Sequence, residues 1–226
     1  MQSLAATIFQ ARPELIPFTP LTEPIPVQNP NDKGNSIVFS HGQTWDGMQD
    51  LTGWYLTILI FTMLRWLSEK MDGVRAYWDG NNSWSRHGKD MDPPKWFVSG
   101  LAATVQLDGE LWMGRATFEQ LITKLNRSDW NGVGYYVFDA PASPSKYEER
   151  VNQLRELISL LPLHVHIVEN IKRTNTSHLW SLLENILEQG GEGLVAREPS
   201  SMYSPGTAVS SLLKVKVFFN HQKLML

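Results

Sequence analysis

The sequence contains no cysteine. That absence removes disulfide frameworks, thiolate nucleophiles and cysteine-based zinc sites together. Strong charge bias is missing too: 20 Lys and Arg against 23 Asp and Glu leave a net charge of −3 over 226 residues. No broad basic surface follows, so contact with nucleic acid would rest on local clusters rather than bulk attraction. Nor is there an apolar run long enough to span a bilayer. The most apolar stretch, Leu51 to Leu64, has 14 residues between Asp50 and Arg65, against the ~20 that a spanning helix needs. The opening MQSLAATIFQARPE lacks the basic start and long apolar run of a secretory signal. Ser- and Ala-rich with one Arg, it leaves a mitochondrial address open; an intracellular protein with no membrane partner is the expectation. At 42% hydrophobic and 11% aromatic the chain is too apolar to be disordered.

Texture divides the chain. Six of the 13 prolines fall in the first 30 residues, and proline removes a backbone donor and fixes φ. An extended N-terminal arm outside any sheet is expected, within an extension over 1–50. An apolar insert follows over 51–67, a folded domain over 68–219 and a tail over 220–226. Inside the domain GVRAYW, TVQLDGEL, GYYVF, LHVHIVE, GLVAR and LLKVKVF read as strands. ATFEQLITKLN reads as a helix with Thr117 and Gln120 as a capping box. KYEERVNQLRELISLL carries Val151, Leu154, Ile158 and Leu161 on one face and stops at Pro162. HLWSLLENILEQGG ends at Gly190 and Gly191. Strands and helices mix without regular βαβ alternation, so the expected class is α+β.

Chemistry concentrates at Lys70-Met71-Asp72-Gly73-Val74-Arg75. A lysine before an Asp-Gly turn stands at an element edge, where glycine lets a ligand or another backbone come close. Four fixed residues at this spacing arise by chance about once in 10⁵ positions. Lys214 and Lys216, two apart, leave one strand face while Leu213, Val215 and Val217 take the other. Glu110 and Glu192 are acidic residues beside glycines. His164 and His166 alternate along LHVHIVE with no third ligand nearby and read as a solvated strand face rather than a zinc site.

The pattern K-x-D-G-x-R resembles the first motif of the covalent nucleotidyltransferases: ATP-dependent DNA ligases, RNA ligases and mRNA capping enzymes. That family's further motifs follow in order. Ser85-Arg86-His87-Gly88, Leu107-Asp108-Gly109-Glu110-Leu111-Trp112, Tyr136-Val137-Phe138-Asp139, Glu192-Gly193-Leu194-Val195-Ala196-Arg197 and Leu213-Lys214-Val215-Lys216 stand between Glu69 and Lys216. The wording is most similar to compact bacterial-type ATP-dependent DNA ligases. The resemblance implies a nucleotidyltransferase fold of two packed antiparallel sheets with flanking helices and the nucleotide between them. It makes Lys70 the nucleophile that takes AMP from ATP. It assigns Glu69, Arg75, Glu110, Phe138, Lys214 and Lys216 to the nucleotide, with Arg75 near the ribose and Phe138 on the adenine face. Arg86 falls to phosphate or DNA, and Glu110 and Glu192 to Mg²⁺, which prefers oxygen ligands and phosphates. Asp72 organises a turn.

The implied reaction forms lysyl-AMP, passes AMP to a 5′-phosphate and joins a nick in DNA repair, recombination or replication. Nicked double-stranded DNA is the implied partner. Two departures keep other classes open. The family continues after its last motif with an OB-fold domain, whereas Val217 to Leu226 are all that follow Lys216; a separate OB-fold-bearing chain is then a possible partner. Between Thr52-Gly53-Trp54 and Ser68-Glu69-Lys70 stand the residues YLTILIFTMLRWL, where the family has a short link. A non-catalytic nucleotide- or DNA-binding remnant, or an RNA ligase, are the alternatives.

Overall fold

Period-two alternation builds two five-stranded sheets in the protein, whose computed structural model describes residues 27–28, 36–37, 41–45, 66–205 and 208–215. The strands are β1 (Val27–Gln28), β2 (Ser36–Ile37), β3 (His41–Trp45), β4 (Trp66–Glu69), β5 (Val74–Trp78) and β6 (Ser83–Ser85). They continue with β7 (Leu107–Trp112), β8 (Gly134–Asp139), β9 (Val165–Ile167), β10 (Ile171–Lys172), β11 (Leu194–Arg197) and β12 (Ala208–Val215). The helices among the described residues are α1 (Lys95–Val98), α2 (Phe118–Asn126), α3 (Tyr147–Leu157) and α4 (Thr176–Glu188). The α+β class expected from the sequence is the class found.

The chain divides into two compact units, each assembled from separate stretches. The first includes Met71–Val168 and Ser200–Gly206 and holds the sheet β6-β5-β7-β8-β9. The second comprises His41–Lys70, Glu169–Pro199 and Thr207–Leu226 and holds the sheet β10-β4-β11-β12-β3. Neighbouring strands run antiparallel except β8–β9 and β12–β3. The expectation of antiparallel sheets thus holds inside each sheet and fails at one edge. For β9 the reason is its connection: a crossover carrying α3, not a hairpin, returns the chain parallel to β8.

In the first unit Ala76, Trp78, Leu107, Leu111, Tyr135 and Val137 face Leu121 of α2 and Leu154 and Leu157 of α3. The capping box at α2 does not form: the Thr117 hydroxyl donates to the Gly114 carbonyl at 2.7 Å instead of accepting from the helix. Ile158, expected on the apolar face, is 48% exposed, because the chain tightens there into a 3₁₀ turn over Ile158–Leu160. In the second unit Leu179, Leu183 and Ile186 of α4 cover Leu67, Leu194, Ala196, Leu213 and Val215. Asn175 caps α4, accepting from the His178 N–H at 2.8 Å. Gly190, at φ 79°, lets the last turn close, with its own N–H on the Leu187 carbonyl and that of Gly191 on Ile186.

Most of the expected extension (1–50) and apolar insert (51–67), Lys216 and the tail over 220–226 lie outside the described residues. Where that N-terminal part is described it is sheet. Val27–Gln28 pairs antiparallel with Ser36–Ile37, β3 lies beside β12, and Trp66 and Leu67 open β4, with Leu67 fully buried.

Both partners of one charged pair in the first unit are almost wholly buried. Arg150 of α3 and Asp139 of β8 are each 1% exposed. The guanidinium donates Nε to Oδ1 at 2.6 Å and Nη2 to Oδ2 at 3.2 Å, and Nη1 to the carbonyls of Ser145 and Ser201 at 2.5 and 3.3 Å. Removing one partner of such a pair strands a buried charge. Arg150→Ala should therefore lower stability by about 3–5 kcal/mol, measured by chemical denaturation. The double change Arg150→Met with Asp139→Leu should recover much of that loss.

Candidate active site

In the second unit, β4 pairs with β11 so that Glu69 faces Leu194 and Ser68 faces Val195. The Lys70 N–H donates to the Gly193 carbonyl at 2.9 Å, carrying the ladder one residue beyond the strand. Its ammonium forms an ion pair with Glu192, the side chains being 18% and 25% exposed. Lys214 stands opposite Val195 across β11–β12 and is half-buried, while Leu213 and Val215 go beneath α4. The expected division of that strand into a lysine face and an apolar face is therefore present; Lys216 lies outside the described residues. Glu69 departs from its expected company. As the alternate neighbour of Leu67 and the cross-strand partner of Leu194, it shares the α4 face. There its carboxylate lies beside Gly191, Oε1 being 3.1 Å from where a Cβ would stand.

The first unit gathers the other set. Arg75, Glu110 and Tyr136 lie in one cross-strand row over β5, β7 and β8. Asp108, fully buried, accepts from Arg75 Nε at 2.9 Å and Nη2 at 2.6 Å, and from the Tyr203 hydroxyl at 2.9 Å. Burial works against the Arg75 charge, yet Asp108 outweighs it and the guanidinium pKa rises above its ordinary value. Burial and Asp108 also push the Tyr203 hydroxyl well up, so it stays a protonated donor. The Arg75 guanidinium lies 5.3 Å from the Phe138 ring centroid. Phe138 owes its placement to a bulge. Asp108 pairs with Asp139 and Gly109 with Val137, leaving Phe138 as the extra residue. Such a residue is unpaired and its side chain re-aimed.

Gly73 serves closeness rather than a turn of positive φ. A Cβ there would strike the Leu111 carbonyl and lie 2.8 Å from Glu110 Cγ. Asp72 is exposed beside it. Arg86 is exposed in the turn after β6, which the Gly88 N–H closes on the Ser85 carbonyl at 3.0 Å. The two histidines are not a solvated face: His164 lies 4.4 Å from the Phe97 ring and His166 stacks 4.7 Å from Tyr136. No group of three His, Asp or Glu gathers among the described residues, and no helix there is long and apolar enough to cross a membrane. Sequence reasoning quoted Asp108 without giving it a role, and it missed Tyr203. Only the LDGELW wording marked the former; 95 residues separate the two and no local signal joins them.

Known proteins resemble this chain in sequence and in fold. The sequence model of the ATP dependent DNA ligase domain matches residues 61–216, beginning inside the segment expected as an insert. A DNA ligase of Haemophilus influenzae is 34% identical over 154 residues, which cover 66% of this chain and 57% of that protein. The chain thus spans little more than half the length of that relative. A solved structure from a structure–function study of DNA binding by Lig E DNA ligases is 28% identical with a TM-score of 0.67, over 79% of this chain and 68% of the other. The Chlorella virus DNA ligase–adenylate structure, 20% identical with a TM-score of 0.60 over 79% and 69%, shares the fold. With two thirds of its length matched, the chain belongs to the ATP-dependent DNA ligase family and carries that family's adenylation-domain fold.

Proposed function

We propose that the chain catalyses the nucleotidyl-transfer step of an ATP-dependent DNA ligase, with Lys70 as the nucleophile. The observation that carries this reading is the Lys70–Glu192 pair: the first motif's lysine, fixed at a strand end, beside the acidic residue of a later motif. Attack needs the lone pair of an uncharged amine, and the Glu192 carboxylate is the adjacent group able to take the ammonium proton. Nζ then bonds the α-phosphorus of ATP as the bond to the β-phosphate breaks and pyrophosphate leaves. The lysyl-AMP so formed passes AMP to a 5′-phosphate at a nick, and a 3′-hydroxyl displaces it. In the first unit Phe138 offers a face for adenine, Arg75 and Glu110 polar groups for the ribose, and Arg86 a cation for a DNA phosphate. Lys214 faces the triphosphate charge, and Lys216 is assigned with it.

Mg²⁺ needs no protein cage, since it keeps several waters and phosphate oxygens and takes one or two carboxylates. Glu110 and Glu192 each offer one, and the metal would supply charge compensation to the transferring phosphoryl group.

The test is incubation with α-labelled ATP and Mg²⁺, then denaturing electrophoresis. A covalent label, labile to acid and stable to alkali, is expected on the parent chain and absent from Lys70→Arg, which keeps charge but presents no free amine. Label on the arginine variant at the parental rate would refute the assignment. Glu192→Gln and Lys214→Ala should each slow labelling by at least ~10²-fold, the scale of one lost electrostatic stabiliser, with thermal unfolding little changed because both side chains are only half-buried. Label without any joining of a nicked duplex would limit the isolated chain to the first step.

A further inference from the structure

At the Tyr136 end of the Arg75–Glu110–Tyr136 row, the first unit has a wide-mouthed cavity of about 470 Å³. Its walls include Trp96, Trp112, Tyr136, His164, His166 and Asn131. No Asp, Glu, Lys or Arg lines it. A lining without fixed charge gives neither a phosphate nor a metal cation a Coulombic reason to enter. A neutral planar ring finds much there. Tyr136 stacks on His166 at 29° and meets Trp112 edge-on at 84°, 5.2 Å between centroids. Trp96, 49% exposed, stands edge-on to His164 at 5.5 Å. Its ring therefore remains half open to an incoming partner.

The polar groups are few and specific. His164 Nε2 lies 2.7 Å from the Phe97 carbonyl, which can only accept, so that nitrogen carries the proton. Burial, opposed by that hydrogen bond, lowers the His164 pKa, and the ring is neutral near pH 7. Trp112 Nε1 is a buried donor with no hydrogen-bond partner, an arrangement that folded proteins mostly avoid. Gly114 and Gly132 line the cavity with open space where a Cβ would stand, so no side chain fills it. The volume falls within the ~300–1,000 Å³ of ordinary small-molecule sites.

We propose that this cavity takes a single unstacked nucleobase, from a nucleic-acid strand or a free nucleotide. Stacking against Trp96 supplies affinity with little choice among bases. The Trp112 ring, edge-on to Tyr136, supplies an apolar wall beside the base. Lys95 and Arg115, adjoining Trp96 and Gly114 in sequence, put cations next to lining residues for the phosphates that accompany a base.

The experiment uses the full chain without ATP or Mg²⁺, so its outcome is independent of lysyl-AMP formation. A short single strand carrying one 2-aminopurine is titrated, with quenching as readout, beside the same strand with an abasic site as competitor. A second arm uses 2-aminopurine nucleoside monophosphate. Saturable quenching is expected, with the abasic strand competing about tenfold more weakly than the intact strand. Trp96→Ala should weaken binding about tenfold, and Trp112→Ala, which removes the wall beside Tyr136, several-fold. Circular dichroism melts verify that both variants are folded. Quenching in the strand arm alone identifies a strand as the source, and equal quenching by the monophosphate identifies a free nucleotide. No quenching in either arm, or quenching that both folded variants retain unchanged, would overturn the proposal. A chain that binds the base yet fails to label with ATP would retain this site while losing the ligase reading.

Discussion

Two buried carboxylates stand directly opposite one another in the first unit, and much of that unit is arranged to tolerate them. Asp108 of β7 and Asp139 of β8 are ladder partners, 0% and 1% exposed. Like charges so placed repel, and an unpaired buried charge costs several kcal/mol on the order of a whole domain's margin. Each therefore has its own guanidinium, Arg75 for Asp108 and Arg150 for Asp139. The segment around Ser201 and Tyr203 ties to both, one residue accepting from Arg150 and the other donating to Asp108. From this constraint the rest follows. Arg75 cannot swing outward as a free cation, because two hydrogen bonds fix its plane. That plane fixes what lies against Phe138, and the bulge between the Asp108–Asp139 and Gly109–Val137 pairs is what makes Phe138 available.

Elements that the sequence announced are those governed by local periodicity. The strands containing Arg75, Glu110, Phe138, Val195 and Lys214 alternate, and α2, α3 and α4 repeat with helical spacing, so pattern alone located them. Lys70, Glu192 and Lys214 stood out as candidates because motif wording fixes residue type as well as spacing. What stayed illegible is governed by distant partners. β6 and β10, of three and two residues, carry too little pattern to read. Thr117 looked like a cap, but a hydroxyl can also bond three residues back, and that choice is made by the loop before it. Arg150 belongs by type on a solvated helix face; only the Asp139 carboxylate, 11 residues earlier and buried, reverses that.

Histidines 164 and 166 teach the same lesson from the other side. Alternation correctly placed them near a strand, yet it could not say which face would meet aromatic rings. Phe97 comes from α1, a four-residue helix with too short a period to detect, and its carbonyl holds His164. Tyr136 meets His166 through the parallel pairing of β8 with β9. That pairing exists because α3 intervenes between the two strands.

Burial also separates an ion pair that holds the fold from the pair proposed to do chemistry. Arg150 and Asp139 are each 1% exposed, and opening that pair would leave a charge in a medium unable to solvate it. Lys70 and Glu192 retain 18% and 25% exposure, so water reaches the pair, and parting it costs less than opening a fully buried one. A nucleophile must leave its resting partner at little cost, yet its backbone must not wander, since small misplacements of a reacting atom are expensive. On the reading proposed above, Lys70 meets both demands. The Gly193 carbonyl and the β4–β11 ladder hold its main chain, while Glu69 turns to the α4 face beside Gly191. On that reading the ammonium head is the part that would exchange the Glu192 carboxylate for a phosphoryl group.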